Sequence, residues 1–245
     1  MGSQSRRFSG PSWLLAGVLC LSAPMANAIS YSDDFDSGVI DPGWWTATAE
    51  GGSTLEAVNG RIEMTQGSGG FAAMGLVPPV SGDFTATVDY TLLGWPAANL
   101  ERVVLNAFYS PTEQLAIERI SDPQYDPTRV GEVYLTDFTG QGILGTPTTD
   151  LAGRLRLERI GDTVQGAYWN GAGWSVIGTF SQAGEGGRDR LIGFGIFSPS
   201  PVSGIKVAFD NFELNPVPLP GTLPLLLAGL AAAGLRLRKR AGRSA

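Results

Sequence analysis

The sequence predicts an all-β fold, a two-sheet antiparallel jelly-roll sandwich, and three observations support this prediction. Glycine contributes 34 and proline 16 of the 245 residues, and this glycine share, about twice the usual one, is typical of a turn-rich chain. Apolar and polar residues alternate in many short runs, which is the pattern of half-buried strands. No stretch between the two ends has sustained helical periodicity, and no repeat of fixed length suggests a propeller.

The alternation is clearest at 84–92, where five apolar residues share one face of a predicted strand and threonines and Asp89 the other. Leu155 and Leu157 alternate with charged neighbours in the same way. Glycine and proline lie between such runs. The predicted strands are Arg61–Gln66, Phe71–Val77, Phe84–Leu92, Arg102–Tyr109, Gln114–Ile120, Glu132–Phe138, Arg154–Glu158, Thr163–Trp169, Trp174–Phe180, Arg190–Phe197 and Ile205–Leu214.

Two local features are predicted in more detail. The segment Asn170-Gly171-Ala172-Gly173 separates two strands and predicts a tight hairpin, because glycine adopts the positive φ angles that a reversal needs. In the last strand, Phe209 and Phe212 have opposite parity, so a β-bulge is expected near Asp210-Asn211.

The composition excludes several catalytic chemistries. The chain has no histidine, so neither a histidine general base nor a histidine metal ligand is available. The one cysteine, Cys20, lies in the predicted leader described next. The mature protein is therefore expected to contain neither a disulfide nor a thiol nucleophile.

Residues 1–28 have the three parts of a secretory signal peptide. Arg6 and Arg7 precede a short apolar stretch, and small residues around Ala26 and Ala28 predict cleavage after Ala28. The apolar stretch is too short for a permanent membrane anchor. There are two alternatives. A twin-arginine signal is one, but no cofactor-binding pattern follows that would require export in the folded state. A lipoprotein signal at Cys20 is the other, but Leu19 stands where such signals have a small residue.

Residues 216–245 form a second targeting segment. A proline-rich hinge precedes the apolar run 222–235, and a basic cluster follows that resists translocation. This arrangement resembles the PEP-CTERM sorting domain of Gram-negative bacteria, in its V-P-L-P-A variant. The residues that carry the resemblance are Pro216, Val217, Pro218, Leu219, Pro220 and Gly221, followed by Arg236, Arg238, Lys239 and Arg240.

The resemblance implies that signal peptidase and an exosortase process the chain after transient anchoring in the inner membrane. The mature protein would then associate with the cell envelope or the extracellular matrix. A tail anchor that is never cleaved is the alternative interpretation.

The region between the targeting segments, 29–215, is predicted to be one domain. It contains all 23 acidic residues of the chain, whereas Arg6, Arg7, Arg236, Arg238, Lys239, Arg240 and Arg243 lie outside it. Ten basic residues remain, so the net charge of the domain is −13. Nucleic acid is therefore excluded as an expected partner, because phosphate binding needs a basic surface. Neutral sugars or divalent cations suit the acidic surface better.

Several short motifs of this domain resemble the concanavalin A-like lectin/glucanase jelly rolls. They are Asp33-Asp34-Phe35-Asp36, the segment 40–45, the strand 153–159 and the closing Phe209-Asp210-Asn211-Phe212. The resemblance implies a carbohydrate-associated sandwich whose first and last strands meet. Enzymes of this class that cleave β-glucans have E-x-D-x-x-E on one strand, and this spacing does not occur in the sequence. The nearest pair, Glu113 and Glu118, does not supply three alternating carboxylates, so a polysaccharide hydrolase is the less favoured alternative.

Candidate ligand residues lie in predicted loops. Sugars stack on flat apolar rings beside a few hydrogen-bonding groups. Trp95 and Tyr125 could supply such rings, and Asp122, Asp126 and Arg129 lie near Tyr125. The alternative is that both rings cover the ends of the sheets. Trp44, Trp45, Trp169 and Trp174 are predicted to pack in the core or the hairpin.

Calcium is the candidate cofactor. Asp34 and Asp36 near the start of the domain would approach Asp210 near its end if the first and last strands pair. Solvated acids on an edge strand are the alternative. We therefore predict an exported, non-catalytic, lectin-like protein that associates with exopolysaccharide. A structural matrix protein without a ligand remains the other candidate besides the hydrolase.

Overall fold

The computed structural model describes residues 30–96, 101–110, 113–121, 132–137, 142–182, 188–198 and 204–217. These residues form fifteen β-strands and no helix, and none of them belongs to a helix able to cross a membrane. The predicted signal peptide and the apolar run of the sorting segment lie outside the described residues. The strands are β1 (Tyr31–Asp33), β2 (Trp45–Glu50), β3 (Thr54–Val58), β4 (Arg61–Thr65), β5 (Phe71–Leu76), β6 (Phe84–Gly94), β7 (Glu101–Ser110), β8 (Glu113–Ser121), β9 (Glu132–Asp137), β10 (Gly142–Pro147), β11 (Ala152–Ile160), β12 (Thr163–Trp169), β13 (Trp174–Ser181), β14 (Leu191–Phe197) and β15 (Lys206–Pro216).

The strands form two antiparallel sheets, which confirms the predicted sandwich. The eight-stranded sheet has the order β13-β12-β11-β6-β15-β4-β3, and β1 pairs with β15. The seven-stranded sheet has the order β10-β9-β8-β7-β14-β5-β2. Each sheet also joins strands that are distant in sequence, such as β6 with β15 and β7 with β14, so the chain passes repeatedly between the two sheets, as a jelly roll does.

Aromatic rings hold the sheets together. Trp45 of the seven-stranded sheet lies edge-on to Phe212 of the eight-stranded sheet, with ring centroids 4.9 Å apart. Phe194 and Phe209 meet across the same interface, also at 4.9 Å. All four rings are at most 3% exposed, and one continuous apolar cluster includes residues of both sheets. The predicted core position of Trp45 is thereby confirmed.

The first and last strands pair, as the sequence analysis expected. Tyr31 lies opposite Leu214, and Asp33 lies opposite Phe212. The register of β15 against β6 shifts between Asp210 and Glu213, and Asn211 has a φ of 47°. This irregularity confirms the predicted bulge, which returns Phe212 to the core after Phe209. The strand continues to Pro216, and the Val217 amide donates to the carbonyl of Asp83 at 3.1 Å.

The predicted hairpin is also confirmed. Strand β12 pairs with β13, and Trp169 lies opposite Trp174. The side-chain oxygen of Asn170 accepts hydrogen bonds from the amides of Ala172 and Gly173, each at 3.1 Å. Gly171 has a φ of 89°, the left-handed conformation that the turn prediction required.

Four strands were not predicted: β1, β2, β3 and β10. Strand β2 is rich in alanine and threonine, so its two faces differ little in polarity. Strand β10 contains two glycines and a proline and lies at the edge of its sheet. Such a sequence resembles a loop, because the strand forms only through its partner β9.

Replacing Phe212 with alanine is expected to lower the free energy of unfolding by about 3–5 kcal/mol, because the cavity would open between the sheets. Urea denaturation followed by fluorescence would measure the change. Val39→Ala is the control, because Val39 is 69% exposed and a surface truncation costs roughly 0.5 kcal/mol or less. Equal midpoints for the two variants would contradict the assigned packing.

Candidate binding trough

The outer face of the seven-stranded sheet carries a depression of about 930 Å³, which we call the trough. Side chains alternate between core and outer face along a strand, and the outward positions at the centre of this sheet are small. They pair across neighbouring strands, Gly195 with Ala73 and Gly193 with Gly75. Ala116 continues the row on β8, opposite Asn106 of β7. These small residues form the floor of the trough.

Large apolar side chains border the floor on both sides. Phe71 and Phe197 lie opposite each other on one border, and Leu191 and Phe108 lie opposite each other on the other. Phe197 is 43% exposed and Leu191 is 39% exposed. The lining residues belong to β2, β5, β14, β7 and β8, so the trough runs across the strands for about 19 Å at the usual strand spacing.

Two of the floor glycines cannot be replaced without moving backbone. A Cβ at Gly195 would lie 2.4 Å from the carbonyl oxygen of Ala72, and one at Gly193 would lie 2.7 Å from that of Met74. A Cβ at Gly75 would meet no atom within 4 Å. Neighbouring backbone atoms therefore exclude side chains at Gly193 and Gly195 of β14, whereas a side chain would fit at Gly75.

Polar groups lie at the β7–β8 end of the trough. The Arg102 guanidinium is 3.1 Å from the Glu118 carboxylate, and the Thr136 hydroxyl donates to the other oxygen of that carboxylate at 2.7 Å. The Asn106 amide donates to the Gln114 side-chain oxygen at 3.4 Å. Within the described residues, Arg102 Nε is buried and has no hydrogen-bond partner. The Arg102 side chain as a whole is 21% exposed, so a ligand oxygen at this end would meet a charged donor.

The trough has the components of a binding site for an amphipathic ligand. Glu118 is the only carboxylate among the described residues that line it, and it is already paired with Arg102. Glu113, the other acid noted on this strand, pairs instead with Arg188 at 3.0 Å. A glycosidase needs two carboxyl groups about 5–9.5 Å apart across the scissile bond. The described lining thus offers recognition groups without the usual hydrolytic pair.

Trp95, a predicted ligand residue, lies elsewhere. Its ring is partly buried and packs against the core, and the Arg119 guanidinium carbon lies 5.8 Å from its centroid. Trp95 does not line the trough, so its role as a ligand residue stays a prediction. Tyr125, Asp122, Asp126 and Arg129 lie outside the described residues, so their role stays a prediction.

The predicted calcium ligands lie close enough to interact electrostatically. They are Asp34, Asp36 and Asp210. Burial raises the pKa of Asp210, and the nearby carboxylates of Asp89, Asp36 and Asp34 raise it further. Within the ranges given above, however, no three acidic side chains are grouped so that they could hold a metal ion. Asp34 accepts from the Asp36 amide at 3.2 Å, and Asp210 accepts from the Asn211 amide at 2.7 Å. These carboxylates are therefore engaged by their own loop and bulge.

The trough residues were not predicted from the sequence. Their signal is the segment Leu191–Phe197, in which glycine alternates with large apolar residues. An alternation of this kind indicates a strand that has one face in the core and one face that a ligand can approach closely. The signal was overlooked because both sets of residues are apolar, and the trough needs four further strands that only the sheet order brings together.

No known protein-family model matches the sequence, and no curated protein is significantly similar to it. Solved structures do match. The GH43 protein BlXynB of Bacillus licheniformis is similar at 15% identity with a TM-score of 0.61, over 76% of this chain and 39% of that longer chain. Lectin I-B4 of Griffonia simplicifolia, in its metal-free form, matches at 7% identity with a TM-score of 0.56, over 77% of this chain and 99% of the lectin.

A third similar structure is a pseudo beta-1,3-glucanase of Mycobacterium tuberculosis, with 10% identity, a TM-score of 0.57 and coverage of 77% of this chain and 98% of that chain. Identities this low establish the fold alone. The chain therefore has the concanavalin A-like jelly-roll fold that lectins and glucanase-like proteins share, as the sequence motifs suggested.

Asp210→Asn is expected to stabilise the protein at pH 7 by less than about 1 kcal/mol, because its carboxylate is ionised next to other acids and partly screened by solvent. A raised pKa in the folded state means that ionisation costs stability. The gain in stability from Asp210→Asn should therefore disappear as the pH falls below the normal pKa range of aspartate. Thermal unfolding at pH 7 and pH 3, with and without calcium or chelator, measures this. A melting temperature of the unmodified protein that falls in chelator would favour a bound cation instead.

Proposed function

We propose that this chain is an exported, non-catalytic, lectin-like protein and that its trough binds polysaccharide. The observation that carries the proposal is the trough itself, whose floor of glycine and alanine lies between apolar borders and ends at the Arg102–Glu118–Thr136 group. A pyranose ring has apolar C–H faces and a polar hydroxyl perimeter. The borders match the faces, and the polar end matches the perimeter.

The direction of the trough supports a chain-like ligand. It crosses five strands, so a polysaccharide could lie along it with successive rings over the floor. The domain charge of −13 disfavours acidic polysaccharides by repulsion and favours neutral ones. The similar structures include a plant lectin and a pseudo beta-1,3-glucanase, which agrees with sugar binding on this fold.

Hydrolysis is the less favoured activity. The similar GH43 protein belongs by its name to a glycoside hydrolase family, but the match covers 39% of that chain. In this protein, Glu118 is held by Arg102 and Thr136, and the described lining offers no second carboxylate opposite it. The same binding experiment, with an assay for reducing ends, separates binding from cleavage.

The proposed location follows from the two targeting segments. Signal peptidase would cleave after Ala28, and an exosortase-type enzyme would act at the proline-rich hinge 216–221 after transient retention in the inner membrane. The protein would then lie in the envelope or the extracellular matrix, where exopolysaccharide is the proposed ligand.

Gly75→Leu is expected to weaken polysaccharide binding at least tenfold, because the leucine would fill the open space above the floor. Isothermal titration with laminarin, a neutral glucan, measures the affinity. The fold should persist, since the site is sterically open and leucine suits a strand better than glycine. Gly75→Ala is the graded control, with a small loss, and Val39→Ala should change nothing. Unchanged affinity for Gly75→Leu would contradict the trough as the site, and release of reducing ends would contradict a non-catalytic role.

Processing predicts two new termini. Mass spectrometry of the protein recovered from an exosortase-containing Gram-negative host should find Ile29 at the amino end and no peptide containing Arg243-Ser244-Ala245. A variant with Arg236, Arg238, Lys239 and Arg240 changed to glutamine should escape retention and reach the medium with its apolar run intact. Recovery of the unmodified protein with its basic end in place would favour the uncleaved tail anchor.

A further inference from the structure

A second aromatic surface lies on the opposite sheet, at the β12–β13 hairpin. The registers place four side chains in one row across four strands of the eight-stranded sheet. Trp174 lies opposite Trp169, Trp169 opposite Arg154, and Arg154 opposite Asp89. We call this row, with the depression beside it, the hairpin platform.

Trp169 and Trp174 were predicted to pack in the core or the hairpin. In the structure the two rings pack against each other, but Trp169 is partly exposed. Trp45 in the core is 3% exposed, whereas Trp169 is 37% exposed. The Trp169 and Trp174 rings meet edge to face, with centroids 5.8 Å apart at 74°. The Arg156 guanidinium carbon lies 4.5 Å from the Trp174 centroid. Trp174 is thus held between two neighbours, and Trp169 retains open ring surface.

The polar part of the platform is similarly held in place. Arg154 forms an ion pair with Asp89 through two of its nitrogens. Asn211 donates to the same carboxylate at 3.0 Å. Arg154 and Asp89 are each about one-third exposed, so their remaining hydrogen-bonding capacity faces solvent.

A depression of about 520 Å³ lies between the aromatic and polar parts. Gly171, where a Cβ would meet no atom within 4 Å, leaves it unfilled on one side, and Thr91 borders it on β6. This volume is within the range of small-ligand sites, about 300–1,000 Å³. An exposed indole beside a carboxylate–guanidinium pair suits a neutral sugar ring, which stacks its C–H face on the indole and directs its hydroxyls to both charged partners.

We propose that the hairpin platform is a second binding site for a neutral pyranose unit, separate from the trough. The platform depends on its own residues and does not require the trough to bind sugar. Because the two sites lie on opposite faces of the sandwich, one protein molecule would hold two polysaccharide chains and cross-link them. Opposite-face placement prevents one short oligosaccharide from occupying both sites.

The test is the binding stoichiometry of the full chain for laminarihexaose by isothermal titration. The unmodified protein should bind two molecules, and Trp169→Ala should weaken the platform about tenfold or more, leaving one site. Trp169→Tyr should retain binding by retaining a ring. Ile160→Ala is the control, because Ile160 is 50% exposed on β11 of the same sheet and does not line the depression.

A second variant tests the platform even if Trp169→Ala fails to fold. Thr91 is exposed and borders the depression, so Thr91→Tyr should obstruct the platform from a strand position that tolerates a large side chain. It should reduce the stoichiometry as Trp169→Ala does, with an unchanged melting temperature.

The outcomes separate the two proposed sites. If Gly75→Leu removes all binding and neither Trp169→Ala nor Thr91→Tyr has an effect, the platform is refuted and the trough stands. If Gly75→Leu has no effect and the platform variants remove binding, the trough is refuted and the platform stands. The expected result is that each single change removes one site. Gly75→Leu combined with Trp169→Ala should remove both.

Discussion

The alternation of side chains along β14 is the constraint on which both the core and the trough depend. Ile192, Phe194 and Ile196 point inward and are at most 2% exposed, and Phe194 contacts rings of both sheets. The residues between them are Gly193 and Gly195, which form the trough floor. A register slip of one residue would place glycines in the core and the phenylalanine in the trough. The packing that stabilises the sandwich therefore also determines the shape of its outer face.

Much of the fold could be predicted from the sequence, because its signals are local. The Asn170–Gly173 segment identified the hairpin, and the change of parity between Phe209 and Phe212 identified the bulge. Strands such as β10 could not be predicted, since their conformation comes from a neighbouring strand and not from their own composition. The predicted pairing of first and last strands came from the resemblance to jelly rolls, and the register of β1 against β15 agrees with it.

The candidate sites were less accessible to sequence reasoning, for a physical reason. A binding surface on a sheet consists of one residue in every two from several strands, and strand order is a long-range property. The trough joins β2, β5, β14, β7 and β8, which are dispersed over more than half of the described chain. Aromatic residues in predicted loops, such as Trp95, do not indicate the trough, because Trp95 packs against the core and does not line it. The aromatic part of the hairpin platform was easier to predict, because the turn itself places Trp169 opposite Trp174.

The placement of the acidic residues is consistent with the proposed binding role. In the described ranges, the acids are distributed over loops, the bulge and cross-strand pairs, and Glu118 is the one that enters the trough lining. Two sheets packed about 10 Å apart, each with its own outer depression, place the two proposed sugar sites on opposite sides of the core. If both proposed sites bind sugar, a protein of this geometry would join the chains of a polysaccharide matrix, and this role would need no reactive group.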